Sequence, residues 1–169
     1  MLESSLPLPP PFSADDFRAA MGQFLTGVTI VTAIDADGHR VGLTANSFNS
    51  VSLNPPLVLW SLSKQSSSMP GLLSAKAWAV NILATDQRPL AERFARKGLD
   101  RFDGVAWRSG LSGAPLIDGA VASFECEPRS HHDEGDHLIF VGRVTHCARR
   151  VGALPLAYHG GRFFTDLAL

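Results

Sequence analysis

The chain has 169 residues, of which 45% are hydrophobic and 18% charged, the composition of a globular protein large enough to bury one core. Fifteen basic and sixteen acidic residues give a formal net charge of −1, and no arginine-rich tract is present, so we do not expect a nucleic-acid partner. The charged fraction is slightly low for a soluble surface, which suggests a buried subunit interface.

Cysteine usage and the first residues bear on the cellular compartment. Cys126 and Cys147 form no CxxC motif, and we predict that both are buried thiols. The opening MLESSLPLPPPF lacks the basic start and apolar run of a signal peptide, and no window approaches the ~20 apolar residues of a membrane span. These features predict a cytoplasmic protein that does not enter a membrane.

Residues 1–12 contain four prolines and are predicted to form a proline-rich arm ahead of a single domain, residues 13–169. Ser13 and Asp16 have the spacing of a helix capping box. An amphipathic helix is predicted after them, because apolar residues recur at helical spacing, at Phe17, Met21, Phe24 and Leu25.

The next part of the chain alternates predicted strands with short helices. Strands are predicted at 28–35, 40–48, 57–63 and 76–83, the first two joined as a hairpin by the turn-forming Asp35, Asp37 and Gly38. Proline in a first turn predicts helices that begin near Met69 and Pro89, and the second is expected to end at Gly98.

The last third is predicted to be mainly β. Residues 101–119 are glycine-rich and predicted to be irregular, and strands 121–130 and 137–151 are predicted to be joined by the polar loop HHDEGD, with a short closing strand at 162–165. Only a few short helices are predicted between these strands, so the predicted fold class is mainly β. We expect an antiparallel sheet that closes as a barrel, since so many strands in a short chain must protect their edges.

Two polar segments are candidates for phosphate binding. TANSFNSVS, from Thr44 to Ser52, carries hydroxyl and amide side chains around a strand end, which can hold a phosphate without a lysine. KQSSSMPG places serines where a helix begins, and this arrangement favours anions. Each pattern also has a purely structural explanation, which is local capping by side chains, including an N-cap by Ser68.

Two histidine-containing segments are further candidates. HHDEGDH resembles a metal site, but adjacent His131 and His132 would point to opposite faces of an extended hairpin, so we predict no metal. His137 lies where the chain re-enters an apolar strand and could be held over a pocket. In YHGGRF, two glycines after Tyr158 and His159 permit close approach of a flat ligand or another subunit, although a plain aromatic turn is equally consistent.

Taken in order, TGVTIVT, GLTANSFNSVSLNPPLVLWSLSKQSSS, WAVNIL, AERFA, GDHLIFVGRV and PLAYHGGRFF resemble the flavin reductase-like family of FMN-binding split barrels. The similarity is strongest to reductase components of two-component flavin-dependent monooxygenases. It implies an antiparallel split β-barrel and a homodimer with flavin bound between subunits. It also implies an NAD(P)H:flavin oxidoreductase that reduces FMN or FAD with NADH or NADPH and supplies reduced flavin to a partner monooxygenase.

The resemblance also implies roles for particular residues. The flavin would contact Thr29, Thr44, Ala45, Asn46, Ser47, Ser61, Lys64, Ser66, Ser67 and Phe94. His137 would be the catalytic residue beside the nicotinamide. The dinucleotide would further be enclosed by Tyr158, His159, Gly160 and Gly161.

Two other functions are compatible with the same residues. One is a flavoprotein with tightly bound FMN that acts on its own organic substrate. The other is a non-catalytic split barrel that binds flavin or haem, with His137 and His159 as ligands. The sequence does not choose between FMN and FAD or between NADH and NADPH, because no acidic residue follows a glycine fingerprint.

Overall fold

A computed structural model describes residues 11–166. The predicted proline-rich arm therefore lies, apart from its last two residues, outside the described part. The helices are α1 (Ala14–Met21), α2 (Met69–Ser74) and α3 (Arg88–Ala95), with a 3₁₀ turn at Thr85–Gln87. The strands are β1 (Thr26–Gly27), β2 (Thr29–Ile34), β3 (Arg40–Ala45), β4 (Asn49–Leu53), β5 (Pro56–Ser63), β6 (Trp78–Ile82), β7 (Trp107–Ser109), β8 (Pro115–Ile117), β9 (Ala122–Glu134), β10 (His137–Arg149), β11 (Ala157–His159) and β12 (Arg162–Phe164). None of the helices within 11–166 is long and apolar enough to span a bilayer.

Seven strands form one antiparallel sheet in the order β3-β2-β6-β9-β10-β5-β4. Its two edge strands, β3 and β4, are consecutive in the chain and joined only by residues 46–48. The four Cα–Cα steps from Ala45 to Asn49 span at most about 14 Å, so the two edges must lie close together at this point and the sheet must curl. The edges do not pair with each other in the described chain. The predicted split antiparallel barrel is confirmed.

Alternating burial along β5 separates the inside of the barrel from its outer face. Val58, Trp60 and Leu62 are buried, whereas the residues between them are half-buried. Trp60 stacks on Phe140 with ring centroids 4.4 Å apart and meets Trp78 edge-on at 5.7 Å. These aromatic side chains fill the barrel, so any ligand must bind outside it.

Gly142 provides a sharp test of this packing. A methyl group there would lie 2.3 Å from Trp78 Cζ2 and 3.1 Å from Cys126 Cβ, and both neighbours are fully buried. We expect Gly142→Ala to lower the free energy of unfolding by roughly 1–3 kcal/mol, as overpacking of a core does, measured by urea denaturation. Gly27→Ala is the matched control, since no atom lies within 4 Å of its added methyl. Equal stability of the two variants would contradict this packing.

The β9–β10 hairpin corrects one prediction. The polar segment 131–136 is not a loop, because β9 continues to Glu134 and β10 begins at His137, leaving a two-residue turn. Gly135 occupies this turn with φ +61°, a conformation that favours glycine. The apolar strand β10 offers a continuous ladder of partners, and this pairing overrides the low strand propensity of the polar residues.

Three further expectations differ from the structure. Residues 101–119 contain the hairpin β7–β8, and β4 was not predicted as a strand. Helix α3 ends at Ala95 and not at Gly98, because Arg96 turns to an extended conformation. Its carbonyl accepts a hydrogen bond from Arg101 Nε at 2.8 Å.

The two cysteines have different environments. Cys126 is buried, and burial raises the pKa of its thiol to about 12, so it is an inert core residue. Cys147 lies towards the outer end of β10 and is exposed. The prediction of a buried thiol is therefore wrong for Cys147, because this part of β10 continues past the end of its pairing with β5 at Arg143 and has only β9 beside it in the described chain.

Helix α1 has the predicted capping box, in which the Asp16 amide donates to Ser13 Oγ at 3.1 Å. The helix ends at Met21, so Phe24 and Leu25 belong to the following segment. No residue of the helix is buried. Its predicted apolar side chains stay exposed, between 51% and 68%, at Phe17, Met21, Phe24 and Leu25.

Candidate active site

A cleft of about 650 Å³ opens between the end of α1, the β3–β4 connector and the β11–β12 turn. Strand β11 brings Tyr158 opposite Thr26 of β1, and the Gly160 amide donates to the Gly22 carbonyl at 2.8 Å. These pairings join the YHGG segment to the end of α1. The cleft therefore combines segments that are more than one hundred residues apart in the sequence.

One wall of the cleft is polar and held by a two-way hydrogen bond. Ser47 Oγ accepts from the Ser61 amide and donates to the Ser61 carbonyl, both at 3.0 Å. The Ser47 side chain thus takes the place of a backbone hydrogen-bonded pair between the β3–β4 connector and β5, where the barrel is split. Asn46 and Asn49 line the cleft on either side of the bridge.

Removal of the Ser47 hydroxyl is predicted to weaken this closure. Ser47→Ala leaves the half-buried amide of Ser61 without its acceptor, so we expect the free energy of unfolding to fall by about 1–3 kcal/mol. Thermal and urea unfolding measure the effect. Ser50→Ala is the control, because Ser50 is exposed on the next strand. A Ser47→Ala protein as stable as the control would rule out the bridge.

The outer face of β5 and β10 continues from this wall. Ser61 and Ser63 alternate with the buried residues of β5, and cross-strand pairing sets them opposite Ile139 and His137. Residues two apart on a strand share a face. His137 therefore lies on the same outer surface as Ser61. It is opposite Ser63, which is two residues along β5 from Ser61, and Ser61 is the residue that contacts Ser47.

His137 is held by its neighbour in the turn. Its Nδ1 lies 2.7 Å from Asp136 Oδ1, and this hydrogen bond, with the adjacent charges of His137 and Lys64, lowers the pKa of Asp136. An ionised carboxylate only accepts hydrogen bonds, so Nδ1 is the donor, and Nε2 has no hydrogen-bond partner within residues 11–166. The imidazole is 46% exposed and can contact a ligand.

Lys64 connects the predicted phosphate segment to the same turn. Its backbone amide donates to the Asp136 carbonyl at 3.0 Å, and its ammonium donates to the Gly135 carbonyl at 2.6 Å and to Asp133. The charge of Lys64 is therefore matched by a carboxylate. Lys64 fixes the turn that carries His137.

The remaining predicted site residues fall into two groups. Ser66 and Ser67 lie between β5 and α2, His159 ends β11 and Gly160 follows it, all of them exposed or half-buried, and Gly161 lines the cleft itself. The other four lie against or inside the core: Thr29, Thr44, Ala45 and Phe94.

The four residues that lie against or inside the core hold the backbone and the packing beneath the site. Thr29 donates to the Ala45 carbonyl at 2.7 Å, and Thr44 donates to the Ala91 carbonyl at 2.6 Å, so both hydroxyl protons are committed to the backbone. Phe94 is fully buried and packs edge-on against Phe102 with ring centroids 5.1 Å apart. Direct flavin contacts of Thr29, Thr44, Ala45 and Phe94 remain predictions.

Several residues of the site were not selected from the sequence. The sequence pattern predicts Phe24 and Leu25 as part of the helix, and it places Phe48 and Asn49 within TANSFNSVS without marking either as a binding residue. Asp136 was hidden in a segment expected to be a loop. The sequence signal that could have identified Phe24 and Leu25 is the apolar stripe at helical spacing. For Asp136 that signal is the residue order GDH.

The cleft has the size and lining that a flat nucleotide requires. Ligand pockets commonly measure roughly 300–1,000 Å³ and combine apolar walls with a few polar groups. Phe24, Leu25 and Phe48 provide the apolar surface of the cleft, and Asn46 is among its polar groups. Thr26 also lines the cleft, and its buried hydroxyl has no hydrogen-bond partner among residues 11–166. The residues present fit an isoalloxazine nucleotide.

A split barrel with a nucleotide-sized cleft on its outer surface defines the class of this protein. Residues 21–165 match the model of the flavin reductase like domain, and the chain belongs to this family.

Similar proteins of known structure or function cover most of the chain. An FMN reductase (NADH) of Agrobacterium fabrum is 48% identical over 147 residues, which are 87% of this chain and 83% of that protein. A reductase component of a flavin-dependent trigonelline monooxygenase of Acinetobacter baylyi is 43% identical over 89% of this chain, which spans only 48% of that protein. An NADH:FAD oxidoreductase of Streptomyces globisporus, solved with NAD and FAD fragments, has a TM-score of 0.86 and 41% identity, covering 91% and 93% of the two chains.

Proposed function

We propose that this protein is an NAD(P)H-dependent flavin reductase that reduces FMN or FAD and delivers the reduced flavin to a partner monooxygenase. The observation that carries the proposal is the continuous outer surface from the cleft at Ser47 to His137. Relatives named as an FMN reductase (NADH) and as monooxygenase reductase components support it. NADH is the better supported reductant, since two similar proteins carry it in their names.

The chain's own side chains account for binding and orientation. When bound, an oxidised flavin is the electron acceptor and takes two electrons as a hydride from the nicotinamide. Asn46 and the Ser61 hydroxyl would hold the flavin by hydrogen bonds, Ser47 would keep Ser61 in position through its two-way hydrogen bond, and Tyr158 would enclose the flavin. His137, fixed by Asp136, orients the nicotinamide. This chemistry needs positioned groups and excluded water more than a strong acid or base.

The apolar surface beside the cleft is explained by a homodimer. Large apolar side chains of α1 and of the segment after it are exposed, and monomers seldom expose large apolar patches. A second copy packed on Phe17, Phe24 and Leu25 removes the patch from water and deepens the cleft. The two free cysteines fit a cytoplasmic reductase, since thiols stay reduced in that compartment.

Steady-state kinetics test the proposal directly. We expect the purified protein to oxidise NADH when FMN or FAD is added, and anaerobic ultrafiltration to find reduced flavin in the filtrate. Rates with NADPH then establish the nicotinamide preference. Absence of NADH oxidation with either flavin would refute the reductase. Reduced flavin that never leaves, with turnover only after an organic acceptor is added, would refute delivery to a partner.

A further inference from the structure

The last part of β10 is an open sheet edge. Strand β5 pairs with β10 only as far as Arg143, and within residues 11–166 the following stretch, 144–149, has β9 as its single neighbouring strand. The Arg150 amide donates to the Val121 carbonyl at 2.7 Å, so the alternating pattern of an antiparallel pair turns the amides of Cys147 and Arg149 away from β9. Residues 144–149, termed the β10 edge below, therefore offer unpaired backbone groups to a further strand.

Two grooves flank the end of the β10 edge. The first has a volume of about 450 Å³ and is lined by the β7–β8 hairpin and by β10, with Arg108, Leu111 and Cys147 among its residues. The second, of about 500 Å³, is lined by the 3₁₀ turn and by the segment after β10, including Arg150 and Val151. Both grooves adjoin the same short run of strand, so they form one surface with the edge.

Three arginines of this surface have no carboxylate partner. Arg108, Arg149 and Arg150 are exposed, and none of the ion pairs formed within residues 11–166 includes them. Two carboxylates line the grooves. Glu125 is buried and accepts a hydrogen bond from a backbone amide of the β7–β8 turn, and Asp86 pairs with none of the arginines. A surplus of positive charge therefore faces solvent here, in a chain whose net charge is −1.

Apolar side chains beside the arginines indicate that the occupant is an extended peptide. Leu111 is 81% exposed and Val151 is 85% exposed, one at each groove. A strand added to a sheet edge gains main-chain hydrogen bonds and places alternate side chains in flanking pockets. A second copy would bring like charges together, and a nucleic acid would leave the apolar side chains without partners.

We propose that the β10 edge binds an extended acidic segment of another protein by strand addition, with carboxylates paired to Arg108, Arg149 and Arg150. The identification of that protein as the partner monooxygenase rests on the proposed function. Phe124, opposite Cys147 on β9, packs against Phe48 of the cleft with ring centroids 5.5 Å apart. A partner held on the edge is thus close to the cleft from which reduced flavin leaves.

Binding of a synthetic peptide tests the charge requirement. The probe is a fluorescein-labelled octapeptide in which glutamate and valine alternate, titrated by fluorescence anisotropy. We expect it to bind about tenfold or more tightly than the peptide with lysine in place of glutamate, and Arg149→Glu/Arg150→Glu to raise its Kd about tenfold or more. Arg129→Glu/Lys97→Glu, the same charge change at exposed sites outside this surface, is the control and should change the Kd less than about twofold.

A proline substitution tests strand addition separately from charge. Cys147→Pro removes an amide that points away from β9, which an edge strand tolerates, so we expect an unchanged circular dichroism spectrum and a Kd of the glutamate peptide raised about tenfold or more. Cys147→Ser keeps the amide and is the matched control. If Cys147→Pro does not fold, the charge-reversed variants still decide the proposal. NADH oxidation with added FMN is measured for every variant, so a failure of the proposed reductase is recorded independently of peptide binding.

Several results would overturn the proposal. Equal affinity for the glutamate and lysine peptides would remove the acidic partner, and equal affinity of the Cys147→Pro and Cys147→Ser proteins would remove strand addition. Self-association of the wild type that Cys147→Pro abolishes would make the edge an interface between two copies. A single-stranded oligonucleotide that binds more tightly than the glutamate peptide would assign the arginines to nucleic acid.

Discussion

Phe24→Glu is expected to convert the protein into a monomer with weak flavin binding. Phe24 is 68% exposed and lines the cleft beside other exposed apolar side chains. In the proposed dimer it is covered by the second copy, where a carboxylate would be desolvated without a partner. Such a charge costs several kcal/mol, so the dimer Kd should rise about one hundredfold or more. Sedimentation velocity measures the dimer, and fluorescence titration measures the accompanying loss of FMN affinity.

Leu111→Glu is the matched control for the dimer prediction. Leu111 is 81% exposed in the β7–β8 turn, away from α1, and the same apolar-to-acidic change should leave mass and flavin affinity unaltered there. Two results would contradict the proposed interface: a Phe24→Glu protein that remains dimeric, or a wild-type protein that is fully active as a monomer.

His137→Ala is expected to lower kcat/KM for NADH by about tenfold or more without changing the Kd of FMN. The residue contacts the nicotinamide in the proposed function, and one lost charge-assisted hydrogen bond is worth about 1.5–3 kcal/mol. Stopped-flow reduction of bound flavin measures the rate at several NADH concentrations. A value of kcat/KM equal to that of the wild type would remove His137 from the site.

His131→Ala is the control on the same hairpin. His131 pairs with the inward-facing Phe140, so its side chain lies on the opposite face from His137. Asp136→Asn should show part of the His137→Ala effect, because it removes the charge that orients the imidazole. The lowered pKa keeps Asp136 ionised as pH falls through the usual aspartate range, and this orientation is lost only at lower pH.

The sequence predicted the strands that are rich in β-branched or apolar residues. It missed strand segments that are made of polar residues. β2, β3 and β5 are rich in β-branched or apolar residues, and the structure confirms them. The outer half of β9 reads Ser-His-His-Asp-Glu, which local propensity assigns to a loop. It is a strand because β10 pairs with it across its full length. Pairing between segments is a property that no single segment carries.

The sequence by itself determined the class of fold, the hydroxyl-rich motifs and the capping of α1, because each depends on residues close together in the chain. The tertiary structure decided which of those residues share a surface. Curling of the sheet sends Thr29 inward and sets Ser47 against Ser61, and packing of α3 on β3 and β2 buries Phe94. Tertiary packing also places Arg101 beside Ser68, thirty-three residues away in the chain. Such contacts arise only when the chain closes on itself, and local patterns do not encode them.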